Sequence, residues 1–150
     1  MLDFRPVTHD DIPLLRRYYE DCTYKLCEYS VGIKLMWDHS LHCAWAEAAG
    51  CLLVRSHIAG RYVFDFPVPL GEDASVSAAL DAIDAYCTEL GLAPTFMAVP
   101  RACLTDLLLR YPRLSLDDRR PNQDYLYLAE DLASFAGRRY SGQRNHINKF

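Results

Sequence analysis

HCAWAEAAGCLLVRSHIAGRYVFDFPV, residues 42–68, sets the architecture of this chain. Its hydrophobic period is two. Residues 42–48, 51–58 and 61–68 each read as a strand, with Ala49-Gly50 and the neighbourhood of Gly60 as the turns between them. Three strands joined by two short turns form an antiparallel meander. In the third strand Tyr62, Phe64, Phe66 and Val68 share one face, and Pro67, Pro69 and Gly71 end it.

On the N-terminal side, residues 2–7 read as a short strand. Thr8 is placed to N-cap a helix with Asp10 and Asp11 in its first turn, where the helix dipole favours negative charge. Ile12, Leu15, Tyr18 or Tyr19, and Cys22 recur at helical spacing, with Arg16, Arg17, Glu20 and Asp21 facing water. A second, less regular helix covers residues 28–38, EYSVGIKLMWD, weakened by Gly32.

On the C-terminal side, Asp73 or Ser75 caps the clearest helix. Val76, Ala79, Leu80, Ile83, Tyr86, Cys87 and Leu90 form one stripe, and Gly91 is a natural stop. Residues 95–99 read as a short buried strand. Pro100 opens a helix through Leu104, Leu107 and Leu108 to Tyr111, closed by Pro112. Residues 114–116 read as extended. After a polar linker, DDRRPNQ, residues 124–129 read as a strand, with Tyr125 and Tyr127 on one face and Leu126 and Leu128 on the other. The order β-α-α-β-β-β-α-β-α-β predicts an α/β chain with a mixed sheet and helices on both faces.

The 150 residues suit one domain with a sizeable core. The charge is uneven. The first 137 residues hold 12 of the 16 basic and all 20 acidic residues, a balance of −8 against −4 for the whole chain. Arg138, Arg139, Arg144 and Lys149 supply the rest, with no acidic residue among residues 138–150. A basic end of this kind faces an anionic partner or the acidic body of its own chain.

None of the six cysteines makes a C-x-x-C pair, and no Cys/His spacing fits a zinc site. Buried reduced thiols, and hence a cytoplasmic setting, are expected. The N-terminus lacks the basic and apolar regions of a signal peptide. No apolar run approaches the ~20 residues that span a bilayer, so any membrane contact is expected to be peripheral.

Little in the chain specifies chemistry. No G-x-S-x-G elbow occurs. His39 and His42, beside Asp38, are three apart, but the pattern there breaks from helix into strand, which favours exposed polar residues over a metal pair. No phosphate-cradling glycine motif is present, and the loop PVPLGEDAS carries two acids that oppose a pyrophosphate. The tail is more informative. A helix from Ser141 or Gly142 sets Arg144 above Asn148 and Asn145 above Lys149, one cationic face suited to phosphate or carboxylate, with Tyr140, Ile147 and Phe150 toward the other side. The competing interpretation is a solvated helix end whose cations complement the dipole. The pattern runs on to Phe150, as in a helix that continues.

The run YLYLAEDLASFAGRRYSGQRNHINKF resembles the junction motif of bacterial proteins grouped with the C-terminal domain of phosphatidylglycerol lysyltransferase. That motif is a D-Y-[IVL]-Y strand, then E-D-L-x-x-L-x-G-[KR]-x-[YF], then a basic R-N-x-[IV]-x-[KR]-F helix. Here these segments are residues 124–127, 130–140 and 144–150. FRPVTHDD and residues 30–37 also fit. The resemblance covers essentially the whole chain, but only the first half of a typical member.

The family is similar to Fem-type peptidyltransferases, and both carry tandem acyl-CoA N-acyltransferase-like (GNAT) domains. The resemblance implies a GNAT-like domain over residues 1–137, with residues 138–150 beginning or bridging to a second such domain. It implies transfer of an aminoacyl or acyl group to an amine or hydroxyl acceptor, such as a phospholipid head group. Aminoacyl-tRNA or acyl-CoA would serve the complete protein. The acyl-CoA motif [QR]-x-x-G-x-[GA] is absent from residues 67–75. This half is therefore expected to hold no cofactor and to be catalytically incomplete alone. Arg138, Arg139, Arg144, Asn145, Asn148 and Lys149 are the implied contacts for tRNA phosphate, a lipid head group or a carboxylate. No catalytic residue and no metal ligand is implied. The expected partner is a second GNAT-like domain or a second copy of the chain. The alternative is a non-catalytic interaction or dimerisation module.

Overall fold

The computed structural model describes residues 2–118, 120 and 123–150. Three residues of the polar linker, 119, 121 and 122, lie outside the described residues. The chain divides into two compact units, Met1–Ser115 and Leu116–Phe150.

The first unit is built on a sheet. Strands β1 (Arg5–Pro6), β2 (Ala44–Ala48), β3 (Cys51–Ile58), β4 (Arg61–Asp65), β5 (Val68–Pro69) and β6 (Phe96–Met97) line up as β1-β2-β3-β4-β6, with β5 also on β3. Every pairing is antiparallel except β4 with β6. The meander is thus present as expected. The β2–β3 turn needs its glycine twice over. Gly50 has φ +73°, and a Cβ there would meet the Ala74 backbone at 3.0 Å.

The expected third strand, 61–68, is not continuous. Phe64 pairs with Arg55 and Val68 with Leu52, so four steps on one strand face three on β3. The extra residue is a β-bulge around Phe66 and Pro67, where proline has no N–H for the ladder. The expected strand 42–48 also starts late. His42 instead ends a short helix in the left-handed conformation, φ +46°.

Helices α1 (Ile12–Tyr19), α2 (Val31–Met36) and α3 (Asp38–Leu41) follow β1. Ahead of α1, the Asp11 carboxylate accepts from the Thr8 N–H at 2.7 Å and the Thr8 hydroxyl at 2.8 Å. Ser30 caps α2. Beyond the sheet come α4 (Val76–Glu89), capped by Ser75, and α5 (Leu104–Arg110). Alternate residues of β3 serve two cores. Leu52 and Val54 pack with Leu15, Tyr18 and Trp45, while Cys51 and Leu53 pack with Ala79, Leu80, Ile83 and Leu107. Helices therefore cover both faces, as the near-continuous apolar run of β3 requires. Arg110 ties α5 to α4 through Asp81 and Asp84 at 2.5 and 2.6 Å.

The second unit contains α6 (Ala129–Ser134), a 3-10 turn at Arg138–Tyr140 and α7 (Ser141–Ile147). Among the described residues, the strand expected at 124–129 does not form. Tyr125, Leu126, Tyr127 and Leu128 belong to no helix or strand among the described residues, and Ala129 already opens α6. The chemistry of a strand is there, and among the described residues of this unit no neighbouring strand completes it.

Candidate functional site

Two places concentrate polar groups, one in each unit. The first is buried. Lys34 on α2 reaches into the core and its ammonium pairs with Asp65 at the end of β4, the two being 1% and 3% exposed. Burial pushes the Asp65 carboxyl up, partly offset by the Lys34 ammonium. Its second oxygen, Oδ1, and the buried Tyr19 hydroxyl have no hydrogen-bond partner among the described residues. Cys43 and Ser56 are buried as well, Sγ and Oγ 3.6 Å apart, and the burial of Cys43 raises its thiol pKa.

Asp65 stands where β4 and β6 part. Beyond the pairing of Asp65 with Met97, β4 bulges and β6 ends. In open sheets the ends of parallel strands are where ligands commonly enter. Here tyrosines close the gap. The Tyr29 hydroxyl donates to the Ala98 carbonyl at 2.6 Å, with the Phe66 carbonyl at 3.5 Å, so one side chain spans both diverging segments. Tyr24 donates to the Pro67 carbonyl at 3.2 Å and packs edge-on against Tyr29. Burial holds both phenols far above the ordinary tyrosine range, leaving them neutral donors.

The second place is the basic end. α7 begins at Ser141, in keeping with the helix expected there. Arg138 and Arg139 sit on the preceding 3-10 turn, Arg144 and Asn145 on α7, Asn148 at its C-cap and Lys149 just beyond. The six do not act alike. Arg139 pairs with Asp131 and lies 4.6 Å over the Tyr140 ring. Arg144 donates to the Phe135 and Gly137 carbonyls, the latter at 2.8 Å. Those carbonyls belong to a left-handed turn, with φ +46° at Phe135 and +87° at Gly137. Arg144 therefore braces the link between α6 and α7. Arg138, Asn145, Asn148 and Lys149 are exposed, and their side chains have no partner among the described residues.

A shallow groove of about 460 Å³ adjoins this end, lined by Leu126, Tyr127, Leu128, Asp131, Arg139, Tyr140 and Gln143. Sequence reasoning missed the Lys34–Asp65 pair. The available signal was one charge inside each of two apolar runs, VGIKLM and YVFDF. His39 and His42 are at the boundary expected of them, His39 stacked on Trp37 at 6.4 Å between centroids.

The fold is thus a mixed α/β domain with a mostly antiparallel sheet, followed by a helical unit with a basic end. Residues 20–150 match the family described as phosphatidylglycerol lysyltransferase, C-terminal, and the chain belongs to that family. A solved structure described as a conserved protein of unknown function from Bacteroides thetaiotaomicron VPI-5482 matches with a TM-score of 0.85 at 21% identity, over 99% of this chain and 50% of that one. This chain spans about half the length of that solved chain, and the likeness is one of fold. No curated protein matches the chain. No helix among the described residues is long and apolar enough to cross a membrane.

Proposed function

We propose that this chain is the N-terminal, GNAT-like part of an aminoacyl- or acyltransferase-like protein and is catalytically incomplete alone. The observation that carries the proposal is the family match over residues 20–150. The 50% coverage of the solved relative supports a partner domain of similar size. Residues 1–137 would form the first domain and residues 138–150 would lead toward the second.

The Tyr24–Tyr29 closure of the β4–β6 gap supports a first domain that is scaffold rather than cofactor site. In the complete protein an amine or hydroxyl would attack an aminoacyl ester or an acyl thioester, the new amide or ester bond forming as the carbonyl's bond to the tRNA oxygen or the thiol sulfur breaks and that leaving group takes the nucleophile's proton. Positioning and stabilisation of the developing oxyanion would dominate such a reaction. Arg138 and Lys149, with Asn145 and Asn148 beside them, are the groups available for an anionic partner: tRNA phosphate, a lipid head group or a carboxylate. A cytoplasmic location, peripheral at a membrane, fits this role.

The test is direct. Incubate the 150-residue chain with aminoacyl-tRNA and phosphatidylglycerol vesicles, and measure both binding and aminoacyl transfer. Salt-dependent binding without turnover is expected. Turnover by this chain alone overturns the incomplete-enzyme reading. No binding to either anion overturns the role of the basic end.

The second reading is a non-catalytic interaction module. The same tyrosine closure favours it, together with the unpaired segment at residues 125–128.

A further inference from the structure

Lys34 and Asp65 spend only part of their hydrogen-bonding capacity on each other. A lysine ammonium carries three N–H donors. Among the described residues, only Asp65 Oδ2 accepts from that of Lys34. Asp65 Oδ1 receives no donor there, and the buried Tyr19 hydroxyl at the end of α1 has no partner either. Both charged side chains are sealed from bulk solvent. Buried polar groups in folded proteins are hydrogen-bonded in the great majority.

These groups lie together on one side of the sheet. The Tyr19 ring meets the Tyr29 ring edge-on, centroids 6.3 Å apart. The Tyr29 hydroxyl in turn lies 3.5 Å from the carbonyl of Phe66, the residue after Asp65. Burial, then the charge of Asp65 and the Cys43 side chain, push the Tyr19 phenol well above the ordinary tyrosine range, so it stays a neutral hydroxyl. The Cys43 thiol, beside Ser56, also feels both Lys34 and Asp65.

We propose that Asp65 Oδ1, the Lys34 ammonium and the Tyr19 hydroxyl together hold an internal water molecule. The inference concerns the first unit alone and does not rest on the transferase reading. The chemistry of the ligand follows from what the protein groups leave unmet. Asp65 Oδ1 needs a donor, the ammonium needs an acceptor, and the phenol serves as either. The ion pair is already neutral, so a bound cation or anion would be an uncompensated charge in a buried place. A neutral molecule that both donates and accepts fits, and the sealed position restricts it to the smallest one. Internal waters typically make about three hydrogen bonds to such groups. Here the water would donate to Asp65, accept from Lys34 and share the third bond with Tyr19. The site has a structural consequence. Lys34 and Asp65 tie α2 to β4 directly, and the water adds α1, beside the place where β4 and β6 part.

The test uses the 150-residue chain. A crystal structure that orders solvent should show a water oxygen within about 3.2 Å of Asp65 Oδ1 and of either Lys34 Nζ or the Tyr19 hydroxyl. In solution, oxygen-17 relaxation dispersion should detect that water as long-lived. The signal should fall by about one water when Lys34→Met and Asp65→Leu are combined, since both charged anchors are then gone. Tyr19→Phe removes only the third anchor, so the water should stay and exchange roughly tenfold faster. A direct Tyr19–Asp65 hydrogen bond with no water between them overturns the proposal. So does an ion or a molecule larger than water at the site, a dispersion signal that the double variant leaves unchanged, or an exchange rate indifferent to Tyr19→Phe. Should the double variant fail to fold, the parent's crystal structure and the Tyr19→Phe exchange rate still decide.

Discussion

Lys34 and Asp65 face each other as an ion pair inside the first unit, one from α2 and one from the end of β4, with 1% and 3% of their surface exposed. Two charges taken from water lose several kcal/mol of hydration each, so the pair is tolerated only as a pair. Removing one partner leaves the other buried and uncompensated.

Asp65→Asn should therefore destabilise the fold by about 3–5 kcal/mol, and Lys34→Met should approach that cost. Lys34→Met combined with Asp65→Leu should recover most of the loss, since an apolar pair of similar volume avoids the desolvation. Urea unfolding of the three variants and the parent gives the coupling directly. Additive costs in the double variant would show that the pair is not the interacting unit.

Tyr29 joins the two segments that diverge beyond β4 and β6. Tyr29→Phe keeps the ring but strands the Ala98 carbonyl, which accepts at 2.6 Å. A loss of about 1–2 kcal/mol is expected, with faster amide exchange around residues 66 and 98. If stability falls while exchange there is unchanged, the hydroxyl does not bridge the strands.

Asp11 gives a pH signature. Its slight burial raises the carboxyl's pKa, but the Thr8 N–H and hydroxyl outweigh this and hold it below the ordinary value. A folded value below the unfolded one means that the contribution is present above about pH 4, the unfolded aspartate range. It is lost as pH falls through the folded value. Asp11→Asn should cost about 1 kcal/mol at pH 7. The difference between variant and parent should shrink toward zero in acid. A constant difference across pH would assign the loss to packing instead.

The basic end separates two kinds of arginine. Charge reversal at Arg138 and Lys149 should weaken binding to tRNA or anionic vesicles and flatten its salt dependence by about two contacts' worth. The unfolding midpoint should hardly move. Arg144→Ala should instead lower the stability of the second unit, because it releases the Phe135 and Gly137 carbonyls. If Arg144→Ala lowers anion affinity with no structural effect, its place is in the binding surface.

Much of the first unit was legible because its signals are local. A period of two with a Gly50 turn and a stripe from Val76 to Cys87 each follow from neighbours in sequence, while the cap, open between Asp73 and Ser75, is Ser75. The bulge at Phe66 was less legible. Alternation ran through it unbroken, and only the pairing with β3 reveals the extra residue. At the basic end, residue type and spacing located the cations. They did not separate Arg138 and Lys149 from Arg139 and Arg144, since that depends on where Asp131 and two carbonyls come to lie.

By itself the sequence determined the mixed α/β class, the meander, the helix from Val76 and the basic end, because each rests on contacts a few residues apart or on side-chain period. Tertiary structure alone decided that Lys34 meets Asp65, 31 residues on, and that Tyr29 meets Ala98, 69 residues on. It also decided that residues 125–128 pair with no strand among the described residues. A strand is completed only by a neighbour, and no local pattern says which neighbour the folded chain will bring.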